Sequence, residues 1–188
     1  QRFLSKMVKT IPIPCTKEEM DNLITATIAD DFYYMFFQVA RKTGRRLGEY
    51  YGVQVKDIDF DRRIMMTQVL KRRARVQKEA ILDDELMILI QRYILKNNLK
   101  LEDYLFRKVS YRQIQNKVKY YAKKANIDHN VSFHNFRHYF VTELFRAGWT
   151  YDKISKLTGH SSVGTLALYD HTVASDIAGE AREAIKNL

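Results

Sequence analysis

The sequence is short of the residues that cross-link a chain. A single cysteine, Cys15, cannot close an intramolecular disulfide or build a cysteine-rich zinc cluster, so neither staples nor a structural metal are expected and Cys15 reads as a bystander. Proline is limited to Pro12 and Pro14, both in a basic opening stretch that suits a linker or lead-in segment over residues 1–14 better than a helix interior. No apolar run approaches the roughly 20 residues of a membrane span, and no secretory leader is visible, so a soluble, cytoplasmic protein is expected. No internal repeat or low-complexity tract is present. Acidic residues are the scarcer charge: 22 Asp and Glu against 32 Lys and Arg give a formal net charge of +10, which calls for a polyanionic partner, nucleic acid or a membrane surface. What the chain does have is apolar content, 46% of 188 residues, enough to bury the core of one compact domain. A start at Gln1 rather than Met raises the expectation of a further N-terminal domain.

The periodicity is mainly helical. Thr16-Lys-Glu-Glu19 is a capping box that opens a helix reaching about Ala29. An almost wholly apolar helix from Phe32 to Lys42 stops at Gly44, and a short one follows from Leu47 to Tyr51. Between Val53 and Ile81 the period changes, and short strands around Val53–Ile58, Ile64–Thr67 and Val76–Ile81 predict a small antiparallel sheet with a basic turn, Lys71-Arg-Arg-Ala-Arg75. Helical spacing returns over Asp83–Asn97, Tyr111–Ala125 with a strongly basic outer face, Phe133–Arg146, Tyr151–Leu157 and Ser175–Lys186. The fold class is therefore α+β, mainly helical with a small three-stranded antiparallel sheet.

Five features on these elements can carry chemistry. Arg46 lies in Thr43-Gly-Arg-Arg-Leu-Gly-Glu49, where Glu49 can hold its guanidinium by an i,i+3 pair. Lys71 stands at the sheet turn, with Lys78 as the other candidate there. His134 and Arg137 are three apart in His134-Asn-Phe-Arg137-His138 and project from one helix face, with His138 beside it as a supporting group. Gly159-His160 sets an imidazole at a tight turn, and Tyr169, one of 12 tyrosines, follows nine residues on.

In this order the five features resemble the tyrosine recombinase and integrase family, whose pattern is Thr-Gly-x-Arg-x-x-Glu, a hairpin Lys, His-x-x-Arg-His, Gly-His and a following Tyr. The likeness runs from about Pro12 to Val173. It implies a catalytic domain over residues 15–188, a separate N-terminal DNA-clamping domain before it, and a C-terminal helix over 175–188 that docks on its own domain or on a neighbouring protomer. The implied partners are double-stranded DNA target sites and copies of the chain itself, monomeric without DNA and tetrameric at synapsis, on the nucleoid when bound to DNA.

The residue types fit the reaction that the resemblance implies. A phosphodiester attacked by a phenolate accumulates negative charge, so positioned cations are the main catalytic device. Arg46 and Arg137 present planar donor forks to the non-bridging oxygens and His160 adds a donor. His134 is the candidate base for the Tyr169 hydroxyl, whose unperturbed pKa is about 10. Lys71 returns a proton to the leaving 5′-oxygen, and no cofactor or metal is needed. The product is a 3′-phosphotyrosyl enzyme from which strands are rejoined without ATP. Strand relaxation of the type IB topoisomerase kind, or a catalytically silent basic DNA-binding protein, remain the alternatives.

Overall fold

The computed structural model describes residues 13–71 and 74–159, with side chains for all of these except 69–71 and 74–76. The lead-in segment up to residue 12, His160, Tyr169 and the helix expected over 175–186 lie outside the described residues.

Helix α1, Lys17–Thr25, is closed at its start by the expected capping box: Thr16 Oγ1 accepts the Glu19 N–H at 3.1 Å, and Glu19 Oε2 accepts the Thr16 N–H at 2.8 Å. It ends four residues before the expected Ala29. The β-branched run Ile24, Thr25, Thr27, Ile28 favours an exit there, and the buried Thr27 hydroxyl donates to the Ile24 carbonyl at 2.6 Å. Asp30 then caps α2, Asp31–Thr43. This helix stops at Gly44, which adopts φ +58°, ψ 26° and returns its N–H to the Ala40 carbonyl. Helix α3, Leu47–Tyr50, follows.

The stretch from Val53 to Ile81 departs from expectation. Val55–Asp57 is a single 3-10 turn, and the first strand, β1, is only Ile58–Asp59. Strands β2, Ile64–Lys71, and β3, Ala74–Ile81, form one long hairpin, with sheet order β1-β2-β3 and every pairing antiparallel. Lys71, Ala74 and Arg75, expected in a basic turn, belong to the ladder instead: Lys71 pairs with Ala74 and Leu70 with Arg75. The ladder is made by backbone groups, so a basic side chain does not interrupt it.

Four more helices complete the described chain: α4, Asp84–Lys96; α5, Tyr111–Lys124; α6, His134–Arg146; and α7, Tyr151–Thr158. None of the described helices is long and apolar enough to cross a membrane. The sheet is small, and the core lies among the helices. Helix α2 packs on both α4 and α6, and its buried Phe36 and Phe37 seat against Phe106, Phe133 and Phe136 with ring centroids 4.7–6.5 Å apart. Burying one such ring contributes about 1.5–3 kcal/mol, with a further ~1 kcal/mol from edge and tilted ring contacts. This aromatic cluster fixes α6 against the C-terminal end of α2, where Gly44 meets the α6 ring of Phe140.

Gly44 is needed there on two counts. Its backbone is left-handed, and a Cβ would lie 2.4 Å from the Phe140 ring. Gly44→Ala is expected to destabilise the fold by about 2 kcal/mol or more, measured as a lower urea midpoint at unchanged m-value. An unchanged midpoint would show that the α2–α6 junction does not depend on this glycine.

Candidate active site

The local sequence Thr43-Gly-Arg-Arg-Leu-Gly-Glu-Tyr50 builds the first wall of the site. Tyr50 is fully buried; its hydroxyl accepts the Arg45 N–H at 3.0 Å and donates to Thr43 Oγ1 at 2.7 Å, and Thr43 Oγ1 in turn donates to the Val39 carbonyl. That chain of hydrogen bonds ties the segment after Gly44 back onto α2. Arg46 then caps α3: its N–H and its Nη1 both donate to the Glu49 carboxylate at 3.2 Å. Glu49 is 4% exposed whereas the Arg46 side chain is 47% exposed, so the carboxylate anchors the guanidinium from beneath and leaves its outer face toward solvent. Arg45 turns the other way. It is buried, Nη2 donates to the Glu79 carbonyl of β3, and Nε and Nη1 have no hydrogen-bond acceptor.

Helix α6 supplies the second wall. Its first residue, His134, is exposed, and one turn on Arg137 is only 1% exposed. A buried guanidinium must find acceptors, and Arg137 finds backbone: Nη1 donates to the Gly44 carbonyl at 2.9 Å and Nη2 to the Thr158 carbonyl at 3.1 Å. Three helix ends are thereby drawn to one point. Although His134 as a whole is exposed, its ring is partly desolvated against the site; that desolvation first, then the charges of Arg137 and Arg46, lower its pKa and favour the neutral ring at pH 7. His138 stacks edge-on against His134 with centroids 4.5 Å apart.

The third wall is β3. Lys78, opposite Thr67 in the ladder, reaches Nζ to the Gly159 carbonyl at 3.2 Å. Gly159 has φ +69°, and a Cβ on it would fall 1.7 Å from that Nζ, so glycine is what leaves room for the ammonium. Burial, opposed by Glu49 and then reinforced by Arg45, Arg46 and Arg137, lowers the Lys78 pKa. Lys78 therefore shares its surroundings with both arginines of the sequence-derived set. Lys71 pairs with Ala74 at the hairpin tip, four residues along β2 from Thr67, which is about 13 Å; its side chain lies outside the described residues.

Of the residues singled out from sequence, the structure brings together Arg46, Glu49, His134, Arg137 and His138, and α7 ends at Gly159 immediately before His160. His160 and Tyr169 lie outside the described residues. Sequence reasoning did not anticipate the burial of Arg45, nor Tyr50 as the residue holding the turn. It ranked Lys78 second, although Lys78 is the lysine seen among the arginines; no local spacing signals a contact 81 residues apart in the chain. Chemically, the site gathers Arg45, Arg46, Lys78 and Arg137 around the buried carboxylate of Glu49, a set of cations that suits an anionic ligand.

Comparison with known proteins identifies the family and the fold. The phage integrase family model matches residues 15–175. Tyrosine recombinase XerC of Natranaerobius thermophilus is 29% identical over 185 residues, 88% of this chain and 60% of its own length. Tyrosine recombinase XerA of Saccharolobus solfataricus is 32% identical over 145 residues, 77% of this chain and 47% of its own. Among solved structures, the crystal structure of XerA recombinase superposes with a TM-score of 0.76 at 26% identity, covering 93% of this chain and 66% of that one. XerH recombinase bound to palindromic difH substrate, a post-cleavage complex, gives 0.74 at 17% identity over 90% of this chain and 52% of that one, a likeness of fold alone. The chain belongs to the phage integrase family, and its fold is that of a tyrosine recombinase catalytic domain. It spans about half to three fifths of the length of the curated relatives just named.

The two histidines of α6 give a pH prediction. Burial, then His134 and Arg137, push the His138 pKa down to about 4, whereas an unfolded histidine titrates near 6.5. The stability this neutral ring contributes is present above about pH 6.5 and is lost as pH falls toward 4, with a slope of at most about 1.4 kcal/mol per pH unit. Urea midpoints measured from pH 7 to 5 are expected to fall less steeply in His138→Gln than in the parent chain. Parallel slopes would mean that His138 takes up its proton over the same pH range in the folded as in the unfolded chain.

Proposed function

We propose that this chain cleaves and rejoins double-stranded DNA at specific sites through a 3′-phosphotyrosyl intermediate on Tyr169, serving the movement of a mobile element. The observation that carries the proposal is the gathering of Arg46, Lys78 and Arg137 beside the neutral ring of His134, which supplies cations where a phosphorane-like transition state accumulates negative charge. Family membership, and relatives that include XerH bound to its difH substrate, support DNA as that ligand.

In this proposal the Tyr169 oxygen attacks phosphorus while His134, neutral at working pH, takes the phenol proton. Arg46, Arg137 and His160 hold the non-bridging oxygens. Lys71 protonates the departing 5′-oxygen, and Lys78 holds the turn that carries His160. The second reading gives the proton to Lys78, and its lowered pKa favours it, since a weaker base is the better donor. The 3′-phosphotyrosine keeps the energy of the broken diester, so a second 5′-hydroxyl reverses the step without ATP. Strand exchange requires four such sites, and we assign the C-terminal helix, 175–188, to contact between protomers in a tetramer that assembles on DNA from monomers. An N-terminal DNA-clamping domain completes the grip on the duplex.

With a nicked target duplex that traps the intermediate, the chain is expected to form a protein–DNA adduct that survives denaturant. Tyr169→Phe abolishes it, and Arg46→Lys or Arg137→Lys slows it by roughly 100-fold or more. An adduct formed by Tyr169→Phe would refute the nucleophile. A sulfur in place of the leaving 5′-oxygen needs no proton, so this substrate is expected to rescue Lys71→Met and leave the defect of Lys78→Met in place. Rescue of Lys78→Met instead would make Lys78 the acid. Plasmid relaxation without joining of two sites would argue for a topoisomerase.

A further inference from the structure

Away from the catalytic cluster, the fold assembles a second group that has no part in the reaction above. Cys15, just before the α1 cap, Glu19 in the first turn of α1, and His129 in the loop between α5 and α6 each offer one ligand atom, and the three atoms lie within 4.8 Å of one another. Cys15 is 3% exposed and forms no disulfide. His129 and Glu19 are already in contact, ring Nε2 to carboxylate Oε2 at 3.3 Å. The ring's other nitrogen, Nδ1, is buried with no hydrogen-bond partner among the described residues, so the ring has a nitrogen to offer beyond the one held against Glu19.

We propose that Cys15, Glu19 and His129 form a binding site for a zinc ion. Thiolate, imidazole and carboxylate together select zinc over magnesium or calcium, which prefer all-oxygen sites. Zinc–nitrogen and zinc–oxygen bonds of about 2.0–2.1 Å and a zinc–sulfur bond of about 2.3 Å at tetrahedral angles place the ligand atoms roughly 3.3–3.6 Å apart, so atoms that lie within 4.8 Å of one another need to close by at most roughly 1.5 Å to take up an ion. The ion replaces the thiol proton, which leaves to solvent, and three protein ligands keep a fourth position for water.

The site has a mechanical meaning. Residues 13–16 are where the chain enters the domain, and the Asn135 side-chain amide already donates to the Ile13 carbonyl at 3.0 Å. Zinc adds a second tie between this segment and the loop leading into α6, the helix that carries His134 and Arg137. The ion would thus clamp the incoming chain against the catalytic helix.

The test uses the reduced, untagged chain and cobalt(II) as a spectroscopic stand-in. Titration is expected to raise a near-ultraviolet thiolate-to-cobalt charge-transfer band that saturates at one ion per chain and disappears on adding zinc. Cys15→Ser abolishes the band, and His129→Gln weakens binding at least tenfold. Glu19→Gln does the same while keeping a competent capping box, since glutamine serves at that position. The double variant His134→Ala, His138→Ala keeps the band. Zinc at a hundredfold excess over its Kd raises Tm by roughly 5–10 °C in the parent chain and leaves Cys15→Ser unmoved. No band, or a band that survives His129→Gln at full affinity, overturns the site. Adduct formation on DNA is scored separately, so loss of the metal site and failure of the recombinase proposal are distinguishable.

Discussion

The buried guanidinium of Arg137 is the contact on which the rest of the site depends. A charge that is 1% exposed is unfavourable unless its donors are met. Two of them are met by carbonyls at the ends of different helices, Gly44 after α2 and Thr158 in α7. The negative ends of two helix dipoles converge on one cation, which offsets the cost of its burial. In return Arg137 holds the C-terminal end of α7 through the Thr158 carbonyl. The aromatic packing of Phe36, Phe37, Phe133 and Phe136 serves this arrangement by fixing α6 relative to α2.

Glu49 has the complementary part. It is the buried carboxylate among several cations, and it uses both oxygens on Arg46. Lys78 approaches from the sheet and is held by a backbone carbonyl rather than by a carboxylate. The hairpin, α3, α6 and α7 therefore meet around a site whose positive charges are held in place by fixed partners. That is the electrostatic condition under which a phosphodiester is both bound and activated.

Much of this was legible in the chain itself, because the signals were local. The Thr16–Glu19 box, the stop at Gly44, the Arg46–Glu49 pair and the His134–Arg137 spacing all act within one or two helical turns, and each appears where expected. What sequence left obscure was long-range or compensated by backbone. The hairpin looked like scattered short strands because basic residues near its tip mask a ladder made by main-chain groups. Arg45 looked like one more surface charge in a basic run, yet it is buried against β3. Cys15 looked inert because His129, the residue that gives it a possible role, is more than a hundred positions away.

The use of carbonyl oxygens to hold Arg137 and Lys78 bears on how such a domain can diverge. Every amino acid carries the same carbonyl, so these anchors constrain the path of the backbone and not the identity of the residue at 158. The glycines at 44 and 159 are constrained in type by their left-handed torsions, and Gly44 also by its crowding against Phe140. Sequence can therefore drift around such anchors while the path of the backbone is kept, and the fold superposes on XerA recombinase with a TM-score of 0.76 at 26% identity.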